Sequence, residues 1–233
     1  MKSFLYYILD KFIMTDFTSV IAEKLNKYEK LDNVIVFDVG CYIGNFSRNL
    51  KKKLNKNTKF YLFDANPDLN IVDFNYEQIA ITDKKGIENF FINNFLPHSG
   101  SSLTDIHVKD KWWNFTRKII SGGIKKNFTS IKVKTETLDN YCELNGIKNI
   151  DILKIDTEGS ELNVLNGAKD ILKTVKILAL EILDESSKFE EKRSKIFKIL
   201  KDQYSFNLIS EKKMWSLGTL SKMRAVDVLF EKK

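Results

Sequence analysis

A chain of 233 residues, 43% of them apolar, can bury one sizeable core, and no run rich in Pro, Gly or Ser divides it. Its two cysteines, Cys41 and Cys142, and its two histidines, His98 and His107, match no metal-ligand spacing, so no metal site is expected and the setting reads as reducing and cytoplasmic. The net charge of +7 is mostly lysine in short runs such as Lys51 to Lys53, with arginine only at Arg48, Arg117, Arg193 and Arg224. That pattern reads as solvated surface and not as a nucleic-acid footprint, with an acidic or phosphate-bearing substrate as the minority alternative.

Residues 1–33 read as an N-terminal helical extension. Its longest apolar run, Phe4 to Met14, is broken by Asp10 and Lys11 and is too short to cross a bilayer. The expectation is a helix covering a sheet, with peripheral membrane contact as the alternative. Residues 34–233 read as one α/β domain. Val34 to Asp38 is an apolar strand, followed by Gly40, Gly44 and a helix with Phe46, Leu50 and Leu54 on one side. Lys59 to Asp64 forms the next strand, Gln78 to Thr82 a third, and Ile87 to Ile92 an accessory one. An insertion over 96–127 interrupts the rhythm with Pro97, His98, Trp112, Trp113, Gly122 and Gly123, and a long loop of this kind suggests an acceptor-binding lid.

Strand Ser130 to Lys134, helix Leu138 to Leu144 and strand Asp151 to Asp156 restore the alternation. Lys176 to Leu183 is a further buried strand, and Ser187 with Glu190 suggests a capping box for the helix that follows. Phe206 to Ile209 and Ala225 to Phe230 end the sequence as strands. The sum is a doubly wound sheet with an antiparallel hairpin at its edge.

Two strand ends carry the candidate chemistry. Asp38-Val39-Gly40-Cys41-Tyr42-Ile43-Gly44 lacks both a G-x-G-x-x-G and a phosphate-loop pattern, which points to a nucleoside without a pyrophosphate. Asp64, at the end of the second strand, is placed to accept ribose hydroxyls. In Ile152-Leu153-Lys154-Ile155-Asp156-Thr157-Glu158-Gly159-Ser160-Glu161, acids stand where a strand gives way to a helix. Glu158 or Glu161 alone could merely complement the helix dipole. Lys154 shares a strand face with Asp156, and a buried lysine there needs a partner, which Asp156 or Asp139 could supply.

Phe37 to Asn45, Phe63-Asp64-Ala65-Asn66-Pro67, Ala80-Ile81-Thr82-Asp83 and Leu153 to Gly159 resemble, in order, the FkbM family of S-adenosylmethionine-dependent methyltransferases. Thr137-Leu138-Asp139, Leu165-Asn166-Gly167-Ala168 and Asp227-Val228-Leu229-Phe230 extend the likeness, which covers about Val34 to Phe230. The resemblance implies a class I methyltransferase (Rossmann-like) fold of seven strands with the last one antiparallel. It implies S-adenosylmethionine as cofactor, S-adenosylhomocysteine as product, and transfer to an oxygen, often a hydroxyl of a sugar or small metabolite. Asp38, Gly40, Tyr42, Gly44, Asn45, Asp64, Ala65, Ala80 and Asp156 fall on the cofactor-binding motifs. At Asp64 the family more usually has glutamate.

Methyl transfer needs the acceptor oxygen in line with the methyl carbon and a group to take its proton. Asp156 and Glu158 are the candidates, with Lys154 orienting neighbouring acids. His98 and His107 each read as surface-loop residues that the insertion could bring to the acceptor, beside Trp112 and Trp113. A cation joining Asp156 to Glu181 at adjacent strand ends is conceivable, but acids alone do not specify a metal. The competing readings are an RNA ribose methyltransferase and a cofactor-binding protein without turnover. The oligomeric state is not encoded in any feature of the sequence.

Overall fold

The computed structural model describes residues 17–27, 33–94, 100–120, 127–213 and 223–233. Seven strands form one twisted sheet in the order β3-β2-β1-β7-β8-β10-β9. These are β1 (Asn33–Val39), β2 (Asn57–Phe63), β3 (Asn75–Glu77), β7 (Ile152–Ile155), β8 (Ile177–Glu185), β9 (Phe206–Lys213) and β10 (Met223–Lys232). β3, β2, β1, β7 and β8 pair in parallel, whereas β10 runs antiparallel to both β8 and β9. The last strand therefore enters the interior of the sheet and leaves β9 at the edge. This is the class I methyltransferase arrangement.

Both sheet faces are covered, which is why the central strands read as continuous apolar runs. Val34 and Val36 of β1 and Ile152 of β7 pack on one face with α1 (Thr18–Asn26) and α2 (Asn45–Lys53). In α1 the buried residues Thr18, Ile21, Ala22 and Leu25 follow helical spacing and pack on the sheet, whereas the run Phe4 to Met14, expected to form the covering helix, lies outside the described residues. Phe37, Val39, Leu153 and Ile155 point to the other face, against α5 (Leu138–Leu144), α6 (Glu161–Asn166) and α7 (Phe189–Tyr204). Residues 1–16 lie outside the described residues.

A second, three-stranded sheet, β4-β6-β5, is built from β4 (Ala80–Ile81), β5 (Gly86–Asn93) and β6 (Phe128–Glu136). The expected third strand over Gln78 to Thr82 is thus corrected. The main-sheet strand is Asn75–Glu77, and the apolar run after it leaves the sheet through a tight turn in which Ile79 N–H donates to Glu77 O at 2.9 Å. β3 is only three residues long, with Tyr76 alone packed against the core, too short to carry a periodic signal. Nor does the expected capping box form, because α7 begins after Lys188 with no side-chain cap.

The described part of the insertion is largely helical, with α3 (Ile106–Lys109) and α4 (Lys111–Ile120). It is pinned to the second sheet by reciprocal backbone hydrogen bonds between Phe91 and Ser102, of 2.8 and 3.1 Å. Among the described residues no helix is long and apolar enough to cross a membrane.

Candidate active site

At the end of β1 the chain turns through Gly40 (φ +71°), Tyr42 (φ +52°) and Gly44 (φ +78°) before entering α2 at Asn45. Gly40 has no substitute: a Cβ there would lie 1.8 Å from the carbonyl oxygen of Asp156. The turn is tied to β2 by Gly40 and Cys41 N–H groups donating to Phe63 O at 2.9 and 3.1 Å. Next to it, the Asp64 carboxylate accepts the Tyr42 N–H on Oδ2 and the Asn66 N–H on Oδ1, both at 3.0 Å.

Burial pushes the Asp64 carboxyl up to about 6, against the two backbone donors and Lys154, which pull it down; the charge of Asp38 adds to the rise. Each Asp64 oxygen thus holds one donor and keeps acceptor capacity, a set that fits the two hydroxyls of a ribose. Ala65 and Ala80 pack together with Phe90, Ile92 and Val133 as an apolar patch. Asp38 lies beneath the turn. It is sealed from solvent, with Oδ2 accepting the Ser47 hydroxyl at 2.7 Å and Oδ1 3.2 Å from Lys154 Nζ, so it supports the turn from behind.

Lys154 is buried in β7 and donates to Gly40 O at 2.8 Å, with Asp38 and Asp156 carboxylates each at 3.2 Å. Burial alone would lower its proton affinity, but Asp156 and Asp38 outweigh it and hold the ammonium above the usual lysine range. Its second partner is Asp38 and not Asp139, because the parallel register sets Lys154 directly beside Asp38. Asp139 instead accepts the Asp170 and Ile171 N–H groups.

Beyond Asp156 the backbone turns at Glu158 (φ +53°) and Gly159 (φ +106°). Glu158 Oε2 is 2.8 Å from Nε2 of His107, which is 4% exposed. His107 is therefore not the surface-loop residue expected but a buried neighbour of the candidate base, carried in on α3. Oxygens of Asp156, Glu158 and Glu181 lie within 4.8 Å of one another, near enough to share a proton or to hold a hard divalent cation. Burial, then the charges of Asp156, Glu158 and Asp227, push the Glu181 carboxyl well above the usual carboxylate range, and a hydrogen bond to Asp156 adds to this. Asp227 stands opposite Glu181 in the β8–β10 register.

The insertion braces this turn. Ser102 Oγ lies 2.9 Å from Thr157 O and 2.8 Å from Glu158 O, and Thr104 Oγ1 donates to Glu158 O at 2.9 Å. Nothing local in the sequence showed what the hydroxyls of Ser102 and Thr104 reach. Trp112 lies half-buried on α4 with its ring 5.8 Å from that of Phe115. His98 and the Trp113 side chain lie outside the described residues.

The methyltransferase FkbM domain model matches residues 38–207. The 2-O-methyltransferase NoeI of Sinorhizobium fredii (strain NBRC 101917 / NGR234) is 26% identical in an alignment of 178 residues that covers 67% of this chain and 66% of that one. The chain thus spans about two thirds of that relative's length. Two solved structures are similar in fold. Methyltransferase FkbM from Methylobacillus flagellatus KT has a TM-score of 0.44 at 13% identity, covering 84% of this chain and 44% of that chain. Precorrin-6y C5,15-methyltransferase from Geobacter metallireducens GS-15 has a TM-score of 0.42 at 12% identity, covering 95% and 92%. With the family model running from the aspartate of β1 into β9, this chain belongs to the methyltransferase FkbM domain family.

Proposed function

We propose that this chain transfers a methyl group from S-adenosylmethionine to a hydroxyl oxygen of a neutral sugar or related polyol. The observation that carries the reading is the His107–Glu158 contact set among Asp156 and Glu181. Such a group of acids accepts hydroxyl protons and repels an anionic acceptor. Lys154, the cation beside it, is already engaged by Asp38 and Asp156.

The cofactor, when bound, supplies a methyl carbon on a sulfonium that an oxygen can displace. The Gly40 to Gly44 turn admits the nucleoside, and Asp64 accepts its ribose hydroxyls. Glu158 takes the proton of the attacking hydroxyl, so that a methyl ether and S-adenosylhomocysteine leave a protonated carboxyl behind. His107 fixes the rotamer of Glu158, while Asp156 and Glu181 accept neighbouring hydroxyls and so favour a polyol. Lys154 orients Asp156. The relative named as a 2-O-methyltransferase supports the oxygen as acceptor atom.

A screen with methyl-labelled S-adenosylmethionine against neutral sugars, glycolipid precursors, small alcohols and RNA tests this. Label in a neutral polyol is expected. Label in RNA alone would reassign the chain to ribose methylation of nucleic acid, and no labelled product in any pool would leave a cofactor-binding protein without turnover.

A further inference from the structure

Lys192 lies on the outer helix α7, yet only 9% of its side chain is exposed. Its ammonium donates to Glu161 Oε2 at 2.7 Å, Gly159 O at 2.8 Å and Leu183 O at 2.7 Å. An ammonium has three donors, and all three are used. Glu161 is itself sealed from solvent, and its other oxygen accepts the Gly159 N–H at 2.6 Å. One side chain thus ties the turn after β7 to the far part of β8.

Those are the two segments that carry the acids. Asp156 and Glu158 stand on the turn, and Glu181 stands two residues before Leu183 on β8. Glu158 also holds a left-handed backbone (φ +53°), which a glutamate keeps only when its surroundings impose it. Ser102 and Thr104 impose it from the insertion side, and Lys192 with Glu161 imposes it from the side of α7.

We infer that Lys192, acting with Glu161, is a positioning residue for methyl transfer: it sets the spacing of Glu158 from Glu181 and keeps Glu158 within hydrogen-bond distance of His107. The kinetic part of this inference rests on the proposed function; the geometric part does not. If the pair served only to anchor α7 to the sheet, its loss would lower stability and leave the His107 ring undisturbed.

The chain contains only His98 and His107, so a His98→Gln background leaves one imidazole for nitrogen NMR. In that background, Lys192→Met should move the His107 ring signals toward those of Glu158→Gln, and Lys192→Arg should return them toward the parent. With an acceptor in hand, Lys192→Met should lower kcat by about 100-fold, the cost of an ångström-scale misplacement, while KM and S-adenosylhomocysteine affinity hold. Should Lys192→Met fail to fold, Glu161→Gln removes the charge at the same junction and is read in the same way. Undisturbed His107 signals in either folded variant would overturn the inference, as would a kcat unchanged from the parent. Because the imidazole signals need no substrate, a chain that methylates nothing would sink the proposed function while this geometric test still returned its own answer.

Discussion

The carboxylate of Asp64 is held by backbone N–H groups of Tyr42 and Asn66, whereas Glu158 and Glu161 are held by His107 and Lys192, side chains 51 and 31 residues away. The proposed nucleoside end is therefore fixed by the path of the main chain. The acid end is assembled from the insertion, β8 and α7, so substitutions far from it in sequence can misplace it. Under the proposed function the first end takes the cofactor and the second the acceptor, and the difference in construction suits that division.

The strongest way to break the comparison is Gly40→Ala, because Gly40 is where the two ends touch. A left-handed non-glycine residue costs about 1–3 kcal/mol, and the overlap with Asp156 O adds roughly 1–3 kcal/mol of overpacking. Chemical denaturation should show that loss, and a variant as stable as the parent would mean the two strand ends are not packed through this backbone.

Glu158→Gln should sharpen the comparison by damaging one end alone. Turnover should fall about 10²- to 10⁴-fold, the usual contribution of a general base, with S-adenosylhomocysteine affinity preserved. Wild-type turnover would return Glu158 to the role of a helix cap. Asp64→Ala should do the reverse, weakening S-adenosylhomocysteine binding by about 1.5–3 kcal/mol in calorimetry, the value of hydrogen bonds to a charged acceptor. Unchanged affinity in the folded variant would remove Asp64 from the cofactor site.

The smallest effect is one of pH and also belongs to the nucleoside end. Asp64 titrates near 6 in the folded chain, above its ordinary 3.8, so in the apo protein its contribution to stability grows as pH falls from about 6 and is absent at neutral pH. Ribose hydroxyls donate to the ionised form, so binding there releases a proton. Cofactor affinity should be flat above pH 6 and fall by up to about tenfold per pH unit below it. A flat profile down to pH 5 would show that ribose does not meet this carboxylate.

The meeting of the Gly40 turn with Asp64 was legible in the sequence because its parts are consecutive: a glycine turn after one strand and an acid after the next. The need of Lys154 for a partner was legible too, since a buried ammonium cannot stand alone. Which partner it takes was not, because the register that sets Asp38 beside Lys154 is a property of paired strands and Asp139 lies no farther along the chain than many other acids. Glu181 was legible beside Asp156 at adjacent strand ends, but nothing local showed that Glu158 joins them. His107, Ser102 and Thr104 sit in an insertion whose fold depends on the second sheet, and no local periodicity says which side of the main sheet it will meet.

β10 lies between β8 and β9, and those two run in the same direction without pairing to each other. On the ribosome, β8 therefore keeps one bare, apolar edge until residues 223–232 have emerged. The nascent chain carries a strand-hungry surface through the whole synthesis of α7 and β9, and this is the interval in which a chaperone, or a neighbouring unfinished copy, has most to bind. Glu181 sits on that open edge and meets Asp227 only when β10 arrives, so the charge state of the acid group is among the last properties the molecule acquires.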